Sequence, residues 1–229
     1  MIKLFITATD TDAGKTYVAQ TLITALTQQS LRVAAFKPIS AGCEKVHTQQ
    51  GTQLINEDAL LLSTVANCQQ SIEQINPIAF EEPIAPHIAA QKENDVIDLA
   101  LLHKHYEKVT DNHCDVVITE GAGGWRLPLG NGKYLSEFVQ KTQQKVILVV
   151  NMKLGCLNHA VLSYESIVSD GLSCVGWVAN CPETMTYLDE NIAELELLFP
   201  MPLLATLDKE ADIERAAKKF NLTSLLSPA

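Results

Sequence analysis

The chain has 229 residues, 47% hydrophobic and 19% charged, enough apolar material to bury a sizeable core and too much for a disordered or fibrous protein. A formal net charge of −10, with no clustered Lys/Arg run, argues against nucleic acid or an anionic membrane as partner, because neutralising a polyanion needs a basic surface. Small molecules are the expected partners, and an anionic one must be met by local positive groups.

The N-terminus enters a strand within a few residues, with no basic stretch followed by a long apolar one and no window long enough to span a bilayer, so a cytoplasmic protein is expected. The six cysteines (Cys43, Cys68, Cys114, Cys156, Cys174, Cys181) form no C-x-x-C pair in a chain large enough to fold without staples, which predicts reduced thiols.

In chain order, an apolar run over Lys3–Thr7 predicts the first strand, and helical periodicity over Lys15–Gln29 predicts the first helix. Between them A-T-D-T-D-A-G-K-T matches the phosphate-loop pattern G-x-x-x-x-G-K-[ST] at Gly14, Lys15 and Thr16, with Ala8 in place of the first glycine. Such a loop presents consecutive backbone N–H groups and a helix N-terminus to phosphate oxygens, adds a lysine for the β/γ-phosphates, and offers a hydroxyl as a Mg²⁺ ligand. The second strand, Leu31–Phe36, is followed by F-K-P-I-S-A-G, which brings Lys37 to the same rim as Lys15. A helix over Asn56–Asn67 carries Asp58 in its first turn, where an acid also suits the helix dipole.

Further along, a helix over Asp95–Val109 precedes the strand Asp115–Thr119. That strand ends in T-E-G-A-G-G, a Walker-B-like layout with Glu120 at the tip facing Mg²⁺ and glycines that permit close backbone approach to a ligand. His103, His105 and His113 have no matching acid or cysteine spacing and read as surface residues. The remaining predicted elements are a helix over Leu135–Thr142, a strand over Lys145–Val150, a helix over Leu157–Ser169, a strand over Cys174–Ala179, a helix over Thr184–Leu198 and a strand over Leu203–Thr206. Nearly continuous Val/Ile/Leu strands alternating with helices predict an α/β fold: a doubly wound, mainly parallel sheet with helices on both faces, of P-loop NTPase type, whose ligands sit beyond the carboxyl ends of the strands. No repeat or linker breaks the chain, so residues 1–229 are expected to form one domain.

The segments A-T-D-T-D-A-G-K-T, F-K-P-I-S-A-G, N-E-D-A-L, E-E-P-I-A-P-H-I-A-A, T-E-G-A-G-G-W, V-V-N-M-K-L-G-C-L-N-H-A and G-W-V-A-N, in this order, together resemble the dethiobiotin synthetase family from about residue 3 to residue 205. The resemblance implies a Mg²⁺- and ATP-dependent ligase that closes a cyclic urea on 7,8-diaminononanoate with CO₂, through a carbamate and a carbamic-phosphoric mixed anhydride. It implies that Asp12, Ala13, Gly14, Lys15, Thr16 and Tyr17 line the nucleotide phosphates and that Thr16, Asp58 and Glu120 bind Mg²⁺. Lys37 and Lys15 would be the catalytic lysines, Gly121, Ala122 and Gly123 would complete the nucleotide side, and Asn180 would meet the base. The family is homodimeric, which implies a substrate carboxylate held by the neighbouring subunit at a turn matching Leu154 and Gly155.

This sequence departs from the family at Ala8, at Ala41 where a serine is common and Ser40 stands adjacent, at Cys181 where an acid is frequent, and around Leu207. A P-loop switch or partitioning ATPase is the main rival, disfavoured because Thr9 and Asp10 occupy the place of its usual extra lysine. A larger amidoligase would need domains for which this length leaves no space.

Overall fold

The computed structural model describes residues 1–48, 51–210 and 212–226. Strand β1 (Ile2–Ala8) leads through a short loop to helix α1 (Lys15–Gln28), then β2 (Val33–Phe36) and the two-residue β3 (Ile39–Ser40). A hairpin follows, β4 (Glu44–Thr48) with β5 (Gly51–Ile55), then α2 (Glu57–Val65), α3 (Ile72–Ile75), β6 (Ile78–Ala79), α4 (Pro86–Lys92) and α5 (Leu99–Thr110). Next come β7 (Val116–Glu120), the hairpin of β8 (Pro128–Gly130) and β9 (Lys133–Tyr134), α6 (Leu135–Thr142) and β10 (Lys145–Asn151). The chain continues through α7 (Cys156–Ser169), β11 (Cys174–Cys181), α8 (Leu188–Leu198), β12 (Leu203–Asp208), α9 (Ile213–Ala217) and α10 (Thr223–Leu226).

The main sheet has the order β12-β11-β10-β1-β7-β2, and every neighbouring pair is parallel. From β1 the chain crosses to the edge strand β2 and returns to β7. It then continues on the opposite side of β1 with β10, so the strand order reverses around β1 and opens a crevice at the carboxyl ends. Period-2 alternation buries both faces. Leu4 and Ile6 of β1 join the core beneath α1, while Phe5 points to the opposite core with Phe36, Tyr106 and Phe138. Leu148 and Val150 of β10 face a third cluster around Trp177 and Phe199.

The predicted strands and helices are present with shifted ends. The second strand begins at Val33 and the helix expected from Asp95 begins at Leu99, because Asp98 supplies the N-cap by accepting from Ala100 N. The helix expected from Thr184 begins at Leu188 after Tyr187 in a left-handed conformation, φ 61°. The short β3 and β6, the β4–β5 and β8–β9 hairpins, and the helices α3, α4, α9 and α10 lie outside the expected elements. The reduced-thiol expectation is corrected for one pair: Cys68 and Cys114 are joined as a disulfide, while Cys43, Cys156, Cys174 and Cys181 are free. The physical reason is register, since both lie beside the amino ends of the adjacent strands β2 and β7, where Val33 pairs with Val116. Among the described residues no helix is long and apolar enough to cross a membrane.

Candidate active site

The loop from β1 to α1 sits at the point of strand reversal. Gly14 precedes α1 with φ 86° and no side-chain cap, so the first N–H groups of α1 have no partner within the helix. The glycine is required twice over: its φ is left-handed, and a Cβ there would lie 2.2 Å from Asn180 Nδ2. Asn180, buried on β11, donates from that nitrogen to Ala13 O at 2.9 Å and so braces the loop from beneath. Lys15 Nζ donates to Asp10 O at 3.2 Å. Ala8, the departure from the motif, is the last residue of β1, paired with Val149 and fully buried, where a regular strand conformation suffices.

The second half of the site comes from the ends of β2 and β7. Phe36 pairs with Thr119, so the residues that follow, Lys37 and Glu120, emerge side by side. Lys37 Nζ donates to Glu120 Oε1 at 2.6 Å and to Asp58 Oδ2 at 2.9 Å, and lies 3.4 Å from Gly121 O. Thr16 Oγ1 donates to the same Glu120 oxygen at 2.9 Å. Asp58 is held in the first turn of α2, whose N-cap Asn56 accepts from Ala59 N. Glu120 is fully buried, and its other oxygen, Oε2, has no hydrogen-bond partner among the described residues. Gly121 packs tightly behind, donating to Ile6 O at 2.9 Å, where a Cβ would meet the Phe5 ring at 2.8 Å.

These surroundings treat the two lysines oppositely. Burial, followed by repulsion from Lys37, pushes Lys15 down to about 8. Burial also pulls on Lys37, but the charges of Glu120 and Asp58 outweigh it and hold Lys37 above the ordinary lysine value. Burial likewise works to raise Asp58, and the Lys37 charge overcomes it, keeping that carboxyl below its usual range.

These groups face a cleft of about 820 Å³. Asp12, Gly14, Lys15, Thr16, Asp58 and Glu120 line it, with Ala122 and Gly123 beside them, and Lys37, Ser40 and Ala41 lie on the wall toward Pro83–Pro86. Ala13, Tyr17, Gly121 and Asn180 lie outside the lining: Tyr17 reaches across to donate to Asp208 O at 3.0 Å, tying α1 to the end of β12. Ser40 turns its hydroxyl away, to Asn76 Oδ1 at 2.6 Å, with Cys43 Sγ 3.1 Å from it. Leu154, 97% exposed, and Gly155, φ 91° before the start of α7, which has no side-chain cap, are not among the residues that line the cleft, although the neighbouring Lys153 Nζ lies 3.7 Å from Asp10 Oδ2 in the loop after β1. Asn56 and Pro83–Pro86 stand in segments that carry the family resemblance but were given no role in the site, and Leu127 was not singled out; all of them line the cleft. An N-cap asparagine two residues before Asp58, and Pro86 at a helix start, were the signals that could have found the first two.

A family described as AAA domain matches residues 3–217. Among curated relatives, the ATP-dependent dethiobiotin synthetase of Aliivibrio salmonicida is 44% identical over 226 residues, covering 97% of each chain. That of Pseudoalteromonas translucida is 44% identical over 206 residues, covering 90% of this chain and 89% of its own. That of Aeromonas salmonicida is 45% identical over 206 residues, covering 89% of each. The fold also matches the MinD cell division protein of Aquifex aeolicus, with TM-score 0.55, 14% identity, and 97% of this chain and 89% of that chain covered. It matches a ParA family ATPase from Chlorobium tepidum, with TM-score 0.55, 13% identity, and 99% and 93% covered. These two likenesses concern the P-loop α/β fold alone. Relatives matched at this identity along nearly the whole chain settle the family: the chain belongs to the ATP-dependent dethiobiotin synthetases.

Proposed function

We propose that the protein is the ligase that closes the ureido ring of dethiobiotin from 7,8-diaminononanoate, CO₂ and ATP. The observation that carries the reading, beside family membership, is the Lys37 ammonium bracketed by Asp58 and Glu120 in the same cleft as the Lys15 loop. One amine of the diamine takes up CO₂ and loses a proton to give a carbamate. A carbamate oxygen attacks the γ-phosphorus, the bond to ADP breaks, and a carbamic-phosphoric anhydride forms. The second amine then attacks the carbonyl carbon, the C–O bond to phosphate breaks, and the ring closes with release of phosphate and a proton.

In this reading the uncapped start of α1, with Asp12–Tyr17 around it, holds the ATP phosphates, and Lys15 supplies a positive charge to the β/γ oxygens. Lys37 stands where the carbamate oxygen meets the γ-phosphate, and its charge, fixed before the reaction by two carboxylates, stabilises the negative charge that gathers there. Gly121–Gly123 complete the nucleotide side, Asn180 meets the base, and Ser40 and Ala41 form the diamine side. Thr16, Asp58 and Glu120 fit Mg²⁺, because a buried carboxylate oxygen without a partner among the described residues, beside a hydroxyl and a second carboxylate, is a hard-donor set suited to that ion. When bound, Mg²⁺ would neutralise phosphate charge.

The active form in this proposal is a homodimer in which the neighbouring subunit's Leu154–Gly155 turn receives the substrate carboxylate. Its support is the exposed start of α7, which has no side-chain cap and does not line the cleft of its own chain.

The test is incubation with ATP, Mg²⁺, bicarbonate and diaminononanoate, followed by mass spectrometry for the cyclic urea. Phosphate release independent of the diamine, without cyclic urea, would instead support a switch-type ATPase. For the dimer, a Lys37→Ala chain mixed with one damaged at Gly155 should regain activity after subunit exchange; no recovery would count against shared sites.

A further inference from the structure

Strand β2 is the edge of the main sheet, and its outer side is covered by the segment from Asn67 to Asn76 rather than by another strand. The covering is a row of amide side chains. Asn67 accepts from Val33 N at 2.7 Å and donates to Leu31 O at 3.0 Å. Gln70 does both for one residue, accepting from Ala35 N and donating to Ala35 O at 2.9 Å each. Two residues further, at Lys37, Ile75 O accepts the Lys37 N–H at 2.7 Å and Asn76 Nδ2 donates to Lys37 O at 2.8 Å. The row thus continues past the last pairing of β2 with β7, at Phe36, and satisfies the main chain of the residue that carries the reacting-site charge.

Asn76 does more than close the row. It is 7% exposed, its Nδ2 also donates to Ile78 O at 3.2 Å, and its Oδ1 accepts from Ser40 Oγ at 2.6 Å. One amide therefore joins the main chain of Lys37, the side chain of Ser40 and the start of β6, which pairs with β3 through Ile39–Ile78 and Ser40–Ala79. Pro38 has no N–H to contribute between them. The amide is itself placed by α3, where Ser71 and Gln74 form a capping box and Asn76 N donates to Ile72 O at 2.7 Å.

We propose that Asn76 is a positioning residue: by clamping the Lys37 peptide and the Ser40 hydroxyl it sets where the Lys37 ammonium stands between Asp58 and Glu120. The inference deepens the functional reading above and rests on it for the reaction to be measured. Gln70 is the internal control, because it performs the same edge-covering task at Ala35, two residues from Lys37, without touching the main chain of Lys37 or Ser40.

The experiment compares Asn76→Ala, Gln70→Ala, Lys37→Ala and the Asn76→Ala/Lys37→Ala double variant by kcat for cyclic-urea formation, nucleotide Kd and Tm. Asn76→Ala should lower kcat on the order of 10²-fold, the scale of a displacement of about 1 Å at a reacting group, with little change in nucleotide Kd. Gln70→Ala should lose Tm but keep near wild-type kcat, and Asn76→Ala should cost nothing further once Lys37 is alanine, because residues acting as a unit are not additive. Wild-type kcat in Asn76→Ala, an equal fall in Gln70→Ala, or a full further loss in the Lys37→Ala background would overturn the proposal. If Asn76→Ala does not fold, Asn76→Ser keeps a hydroxyl too short to reach all its partners; failure of both beside a folded Gln70→Ala assigns Asn76 to the fold and overturns the positioning role. If the wild type forms no cyclic urea, the functional reading fails separately. The clamp is then judged in crystals: Asn76→Ala should move Lys37 Nζ out of hydrogen-bond distance of Glu120 where Gln70→Ala does not, and an unmoved Lys37 overturns the proposal.

Discussion

The loop after β1 and the loop after β2 each present one buried lysine to the same cleft, and the two lysines are prepared for different work. Lys15 is 7% exposed and its ammonium is bonded to a carbonyl, Asp10 O, so burial dominates and lowers it to about 8. Lys37 is 3% exposed, yet two carboxylates at 2.6 and 2.9 Å hold it charged. Lys15 is thus a cation with no carboxylate in ion-pair contact among the described residues, the charges of Glu120, Asp58 and Asp12 being too weak to offset its burial, and is suited to meet incoming phosphates. Lys37 brings its counter-charges with it, suited to stand fixed at a reacting atom. Burial alone does not decide the state of a lysine; what shares the burial does.

The strongest way to break this contrast is Glu120→Gln, which removes the shorter partner of Lys37 and a proposed metal ligand together. Turnover should fall to or beyond the upper end of the 10²- to 10³-fold range typical of one preorganised charge, with the circular dichroism spectrum unchanged. Undiminished activity would take Glu120 out of the site. Next, Lys37→Ala should lower kcat on the order of 10² to 10³ while ATP Kd, set mainly by the Lys15 loop, moves much less. Lys37→Arg should recover only part, since a planar fork replaces a point charge. A Lys37→Ala variant that binds ATP weakly but turns over normally at saturation would pass the catalytic assignment to Lys15.

Lys15 supplies the pH test. Phosphates favour its charged form, so ATP binding takes up a proton where the free protein's Lys15 is neutral, and calorimetry should find affinity falling as pH rises above about 8, by up to about tenfold per unit. In Lys15→Met that dependence should vanish. The same shift acts on the fold with a definite sign. The folded value lies below the ordinary 10.5, so the unfolded chain holds more protons between about 8 and 10.5, and stability rises with pH across that window. Lys15→Met should therefore stabilise the nucleotide-free protein at pH 7, by at most about 3 kcal/mol of unfolding free energy, seen as a higher Tm, and the gain should shrink at pH 10; an equal gain at both would remove desolvation as the cause. The smallest effect concerns the base. One Asn180 amide proton is used on Ala13 O, and the second, with Oδ1, can match the adenine N6–H₂ and N7 edge, so ATP should be preferred to GTP. Equal kcat/KM for the two nucleotides would sink that role.

Much of the fold was legible because its strands are buried on both faces, which leaves continuous apolar runs such as Val146–Val150, and because helices such as α1 and α7 follow them at short intervals. The β4–β5 hairpin was not legible: Glu44, Lys45 and His47 are polar and exposed, so no alternation marks a strand. In the site, Gly14–Thr16, Lys37, Asp58 and Glu120 announced themselves by residue type beside strand ends. The wall at Pro83–Pro86 was marked only by Pro86 at the start of α4, since Pro83, Ile84 and Ala85 are apolar loop residues with no chemistry of their own.

The parallel α/β architecture, the phosphate-type loop and the family could all be read from the order of residues, because local periodicity and ordered motifs are properties of neighbouring residues. It took the folded arrangement to show that Lys37 is held charged while Lys15 is lowered to about 8, that Asn180 braces the loop under Gly14, and that Cys68 meets Cys114. Each of these depends on contacts between residues many positions apart, 83 in the case of Lys37 and Glu120. Their distance and shared burial are set by strand register, which no local stretch of the chain contains.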